Sequence, residues 1–162
     1  MGQFGFGSKV FQDAGFNFML AAGSGTPYSR QSNITQEAAS GINDRSVMAG
    51  SLNGSRLPWQ FRMNMKVNKE FEIKWSDKKS SHLNVYVQVQ NLLNTKNIIS
   101  VYRATGNPED DGYIDSSVYQ ASKDPTNQAA SEAFEYLYSL KVNNPSHFSL
   151  PRMWRAGISI QL

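Results

Sequence analysis

Residues 59–75, WQFRMNMKVNKEFEIKW, alternate apolar and polar side chains almost without interruption. The odd positions are Trp59, Phe61, Met63, Met65, Val67, Lys69, Phe71, Ile73 and Trp75, with Lys69 the one charge among them. The even positions, Gln60, Arg62, Asn64, Lys66, Asn68, Glu70, Glu72 and Lys74, are all polar. A period of two predicts a strand with one apolar and one wet face. The run is about three times the usual strand length of roughly 5–6 residues. A tilted transmembrane strand needs only about 9–11 residues to cross hydrocarbon. Aromatic residues stand at both ends, Trp59 and Phe61 at one and Phe71 and Trp75 at the other. From Trp59 to Phe71, at about 3.3 Å per residue and a 45° tilt, the strand rises on the order of 28 Å. The outward apolar band of an outer-membrane barrel is about 25 Å tall.

Three further runs repeat the pattern. Leu83, Val85, Val87 and Val89 share one face, and Asn84, Tyr86, Gln88 and Gln90 the other. Trp154, Ala156, Ile158, Ile160 and Leu162 alternate with Arg155, Gly157, Ser159 and Gln161. A weaker run places Phe16, Phe18, Leu20 and Ala22 on one side. The expected strands are therefore about 14–22, 57–75, 83–92 and 152–162. Residues 98–102 are candidates to continue the third strand beyond a bulge. Polar stretches 30–56 and 114–150 read as long loops, and 76–82 as a short charged connection. Within the second loop, Asp124-Pro125 resembles an N-cap and first helical position. Ala129, Ala133, Phe134, Leu137 and Leu140 follow at helical spacing, which predicts a short helix there. Long loops on one side and a short turn on the other is the asymmetry of outer-membrane barrels. It puts 76–82 in the periplasm, both long loops at the cell surface, and the last strand running inward to Leu162.

Composition narrows the field little but consistently. Mean hydropathy is −0.48, and no stretch approaches 18 consecutive apolar residues, the minimum for a spanning helix. A β-barrel is compatible with that, since every second residue is polar. A net charge of +3, with 16 Lys and Arg scattered along the chain, leaves no nucleic-acid footprint. The absence of Cys removes disulfides and thiolate metal sites. MGQFGFGSKVFQDAGF lacks the basic, apolar and small-residue zones of a signal peptide, and four strands cannot close a barrel whose smallest natural form has about eight. The expectation is a segment of a longer polypeptide.

GSGTPYS after the first strand, NGSRLPWQFRMNMKVNKEF, LNVYVQVQNLLNTKN, VYRATGNPEDDGY and LPRMWRAGISIQL stand in that order along the chain. Together they resemble the C-terminal end of a TonB-dependent outer-membrane receptor, of the large Bacteroidota type. The resemblance spans most of the chain except roughly residues 114–140. It implies an all-β fold in which four antiparallel transmembrane strands end a 22-stranded barrel around a plug domain. It also implies two long extracellular loops, uptake of a nutrient with TonB-derived energy, and residence in the outer membrane. The partners implied are the rest of the barrel and the plug, the bilayer, TonB through the parent protein, and a surface lipoprotein. The final strand is similar to the signal read by the barrel-assembly machinery, which usually ends in an aromatic residue where this chain has Leu162. Neither a plug nor a TonB box lies in this segment. The lipid-facing residues would be Phe61, Met63, Met65, Val67, Val85, Val87, Val89, Trp154, Ile158, Ile160 and Leu162.

Sharper chemistry finds little support in the residues. Glu109, Asp110, Asp111 and Asp115 could offer oxygen ligands to Ca²⁺, but their spacing matches no calcium loop, and solvated turn carboxylates are commoner. His82 and His147 lack companion ligands. No Gly-x-Ser-x-Gly elbow or phosphate loop is present, so neither catalysis nor a cofactor is expected. Tyr102, Arg103, Tyr113 and Tyr119, in or beside the second surface loop, are candidate ligand contacts of the kind aromatic and Arg side chains make. The commoner outcome for such residues is packing of loops against one another. Arg62, Lys66 and Arg155 fall on the polar side and would pair with carboxylates of the plug or neighbouring strands. Two other readings compete: a porin-like or secretion-associated barrel without energy coupling, and a soluble β-sandwich binding or adhesin module. A sandwich normally has about seven short strands.

Overall fold

The structure, a computed structural model, describes residues 12–42, 45–76 and 79–161. Leu162 and the side chain of Trp75 lie outside the described residues. The chain divides into two compact units. The first comprises the chain up to Ala22, residues 61–95 and the chain from Leu150 onward; the second comprises residues 23–60 and 96–149.

The first unit is a four-stranded sheet. In chain order the strands of the molecule are β1 (Ala14–Gly23), β2 (Pro27–Tyr28), β3 (Arg30–Gln31), β4 (Met48–Ala49), β5 (Ser55–Arg56), β6 (Gln60–Ser76), β7 (Lys79–Gln90) and β8 (Met153–Gln161). The sheet is ordered β1-β6-β7-β8. The four long strands fall close to their expected bounds. β7 starts earlier, at Lys79, so the connection between β6 and β7 is shorter than 76–82, and its residues 77 and 78 lie outside the described residues. Strand β7 stops at Gln90, where Asn91 and Asn94 take left-handed backbone angles (φ 53° each). Asn tolerates this conformation better than most residues. Asn91 is buried. Its side chain accepts from Thr95 N at 2.9 Å and donates to Thr95 O at 3.0 Å and Leu150 O at 3.1 Å, while Asn94 Oδ1 accepts from Arg152 N at 2.9 Å. These bonds lead the chain into β8.

The expected continuation of this strand over 98–102 does not form. Ile98 makes only an isolated bridge to Phe148. It belongs to the second unit, where two short ribbons, β2 with β5 and β3 with β4, brace the two ends of the expected loop 30–56. This unit also holds α1 (Glu37–Ser40), α2 (Ser117–Ser122), α3 (Gln128–Val142) and a 3-10 turn at Pro145–His147. The expected helix is present but longer, and its start is corrected. Asn127 is the N-cap, accepting from Ala130 N at 3.2 Å. Asp124 instead takes the Thr126 amide (2.8 Å) and hydroxyl (2.6 Å) in the preceding turn. A side chain already bonded two residues ahead favours a turn over the first helical turn.

Candidate functional site

Cross-strand register turns the alternation into two opposed surfaces. Met65 lies opposite Val89, which lies opposite Trp154; Val67, Val87 and Ala156 form the next row; then Lys69, Val85 and Ile158; then Phe71, Leu83 and Ile160. Just before β1, Asp13 O accepts from Glu70 N at 2.9 Å, and on the strand Gly15 lies against the Asn68 side chain. Alternation then puts Phe16, Phe18 and Leu20 on the same side as the apolar rows. Much of this surface is uncovered: Leu20 is 71 %, Ile158 68 %, Ile160 66 % and Trp154 64 % exposed, and Phe61 and Val87 are also exposed. Met63, Met65, Val67 and Val85 are half-buried. Val89 shares the face by register but is fully buried, so the chain itself covers it. Lys69, the lone charge, reaches the Gln12 carbonyl, and its ammonium sits 5.7 Å from the Phe71 ring centroid. A lysine that extends its stem along an apolar face while its charge finds a polar acceptor is snorkelling.

The opposite surface is polar along most of β6, β7 and β8, with Met153 opposite Gln90 and, by alternation, Met19 and Ala21 of β1 as its apolar members. Its rows are Lys66, Gln88 and Arg155; Asn68, Tyr86 and Gly157; Glu70, Asn84 and Ser159; and Glu72, His82 and Gln161. In the second row the outer strands carry glycines. A Cβ at Gly157 would sit 2.5 Å from Tyr86 Cζ, and one at Gly15 would sit 2.5 Å from Asn68 Oδ1. The two central side chains therefore lie flat over their glycine neighbours. His82 Nδ1 is 2.9 Å from Glu70 Oε1.

The candidate ligand contacts belong to the second unit, where Arg103 and Tyr113 are half-buried. Tyr102 and Tyr119 are buried. The Tyr102 hydroxyl donates to Val142 O at 2.9 Å, and its ring meets His147 edge-on at 4.6 Å. Burial, followed by the charges of Asp111 and Glu37, holds the Tyr102 phenol above the usual tyrosine range. His147 itself is fixed by Pro108 O, 2.7 Å from Nδ1. The Tyr113 ring lies 5.5 Å from Tyr119 and 5.3 Å from Tyr138, and Phe134 continues the stack at 5.4 and 5.5 Å from the same two rings. Arg103 is paired with Glu37 (Nε to Oε1, 3.2 Å) and donates to Gln31 Oε1 at 2.9 Å. These four residues thus pack the loop unit together.

One of the four acids weighed above as calcium ligands has instead a buried structural role, which the sequence does not signal. Asp111 is almost completely buried. It accepts from the Tyr138 hydroxyl at 2.5 Å, Ala38 N at 3.1 Å and Tyr113 N at 3.1 Å. Desolvation first, then the bond to Asp111, drives the Tyr138 phenol far above its ordinary range, so it stays protonated as a donor. Glu109 pairs with Lys96 at 2.8 Å, and Asp110 Oδ1 accepts from Gly112 N at 2.7 Å. Three of the four acids, Glu109, Asp110 and Asp111, are thereby engaged in turns and packing, while Asp115 is exposed; among the described residues no three His, Asp or Glu side chains converge as a metal set.

No protein-family model matches the chain, and no curated protein or solved structure matches it.

Proposed function

We propose that this chain is a wall segment of an outer-membrane β-barrel, the C-terminal end of a TonB-dependent importer that takes up a nutrient. The observation that carries the reading is the register. It aligns every second residue of three long strands, and by alternation a fourth, into one apolar surface that is exposed over much of its area, backed by a predominantly polar one. A soluble protein rarely exposes a contiguous apolar patch beyond a few hundred Å² without a partner for it. Hydrocarbon is the partner that fits a face flanked by Phe61 at one end and Phe71 at the other, and the polar face then lines the lumen.

The outer edges of β1 and β8 support the same reading. Each has one neighbour in the sheet. Unpaired backbone groups cost several kcal/mol apiece in hydrocarbon, so further strands of a parent barrel, up to the 22 of the resembling family, would cover them. In this reading the second unit is extracellular, the plug fills the lumen, TonB acts through the parent protein, and a surface lipoprotein is a candidate companion. A plug upstream in the parent chain separates this reading from a porin-like barrel.

The test is a pair of neighbouring substitutions in the protein that carries this segment. Val87→Arg, on the apolar face, is expected to cost about 2–4 kcal/mol near the bilayer midplane, and Gln88→Arg much less. Stability would be measured by denaturant titration in lipid vesicles. Equal tolerance at both positions overturns the lipid-facing assignment.

A further inference from the structure

The polar face of the sheet holds a small concavity of about 110 Å³ lined by Arg62, Asn64, Gln90, Asn91, Leu150 and Met153, with Pro151 at its rim. No carboxylate lines it. Asn64 Oδ1 is committed to the Asn91 amide, 3.0 Å away, which leaves the Asn64 NH₂ group as a donor. Asn91 Nδ2 is spent on Thr95 O and Leu150 O. Among the described residues, the Arg62 guanidinium and Asn64 Nδ2 have no protein acceptor.

The charges around this pocket are sorted along the strands. Arg62 stands one row to one side of Asn64, and the row on the other side joins Lys66, Gln88 and Arg155. Three cations therefore flank the concavity, and none forms an ion pair among the described residues. Along β6 the nearest carboxylates of this face are Glu70 and Glu72. Glu70 lies four residues from Lys66, roughly 13 Å at the strand rise, and is already engaged by His82. That separation exceeds the Debye length of about 8 Å at physiological salt, so those acids do little to neutralise the cationic end. A guanidinium fork, an amide donor and two further cations around a cavity this small fit a planar or tetrahedral oxyanion.

We propose that this pocket is an oxyanion site, taking a carboxylate or phosphate group through Arg62 and Asn64, with Lys66 and Arg155 supplying the surrounding positive field. The site is built from the sheet and the residues that adjoin β7 and β8, and its second source of anion, the parent protein, rests on the proposed function. The anion has two possible sources, a free solute or a carboxylate of the parent protein, and one experiment separates them.

The parent protein, purified in neutral detergent, is titrated calorimetrically with inorganic phosphate at low salt, and in parallel treated with a carbodiimide that couples lysines to adjacent carboxylates. A free-solute site gives saturable phosphate binding that weakens about tenfold in Arg62→Gln, weakens also in Arg155→Gln and with added salt, and is unchanged in Ser159→Ala. A site filled from within gives no phosphate binding but a peptide-mapped cross-link from Lys66 to a protein carboxylate, lost in Arg62→Gln and kept in Ser159→Ala. Phosphate binding that is equal in Arg62→Gln overturns the proposal, and so does the absence of both phosphate binding and the cross-link in protein whose Ser159→Ala variant has normal stability.

Discussion

At position 157 the backbone of β8 runs beneath the ring of Tyr86, with no room for a side chain. Gly157→Ala would force that ring into another rotamer and away from Lys66, whose ammonium lies 5.0 Å from its centroid. Crowding of this kind costs about 1–3 kcal/mol. The expected result is a loss of that size in Gly157→Ala and no further loss when Gly157→Ala is added to Tyr86→Ala, as read from a double-mutant cycle. Additive losses would mean that the ring is not what excludes the side chain. The same scale explains Asp111. A carboxylate removed from water requires hydrogen bonds on its oxygens, and Tyr138, Ala38 and Tyr113 supply three.

Between α2 and α3 the clasp is ionic. Lys123 Nζ is 2.5 Å from Glu135 Oε1, and the Tyr119 hydroxyl donates to the same oxygen at 3.2 Å. The bond to Lys123 lowers the Glu135 carboxyl below its ordinary range, and the same bond raises Lys123 above its own. A lowered carboxyl stabilises the fold above its unfolded value, about 4.3, and that contribution is lost as pH falls through the folded value. A raised amine stabilises below its unfolded value, about 10.4, and the contribution is lost as pH rises past the folded one. Hydrogen exchange of the α3 amides, corrected for intrinsic rates, should therefore be slowest between those limits and rise on either side. In Lys123→Met the acid limb should move toward the ordinary Glu range; an unmoved limb would remove Lys123 as the cause. Elements of this kind were the least legible from the chain. The strands could be read because period two is imposed locally by the pleat and reinforced by a face without competing polar groups. β2 to β5 are two residues each and leave no period to detect. The start of α3 was misplaced because Asp124-Pro125 and Asn127 both carry N-cap chemistry, and the Asp124 turn to Thr126 decides between them. Tyr102 and Tyr119 resemble surface anchors in a polar stretch, yet the excursion between β7 and β8 by itself supplies enough aromatic rings for a small core. Asp111 looked like one acid among four, since nothing local marks which carboxylate a distant Tyr138 will bury. Arg62, Lys66 and Arg155 were assigned to the polar side by alternation alone, but the pocket beside Arg62 depends on Leu150 and Met153, far away in sequence.

For the whole molecule, β1 and β8 have one neighbour each among the described residues and the apolar face is largely exposed, so under the proposed function the 162-residue chain is expected to need detergent or lipid. Expressed alone, it is expected to sediment as large aggregates without detergent and to disperse only with it, as followed by analytical ultracentrifugation. A compact monomer in plain buffer would favour the sandwich reading. The mass of the native polypeptide carrying this sequence bears on the same question, because a wall segment belongs to a chain several times longer. The long excursion between β7 and β8 is closed at its own base: Ser149 N donates to Asn97 O and Ile99 N to His147 O, both at 2.8 Å, beside the Ile98–Phe148 bridge. What lies between those bonds begins and ends at one place, so a change in its length need not shift the strands on either side. Its chemistry is held where Asp111 takes Ala38 N and Arg103 pairs with Glu37 of the first loop, which makes the excursion one half of a clasped pair, to be exchanged only together with its other half.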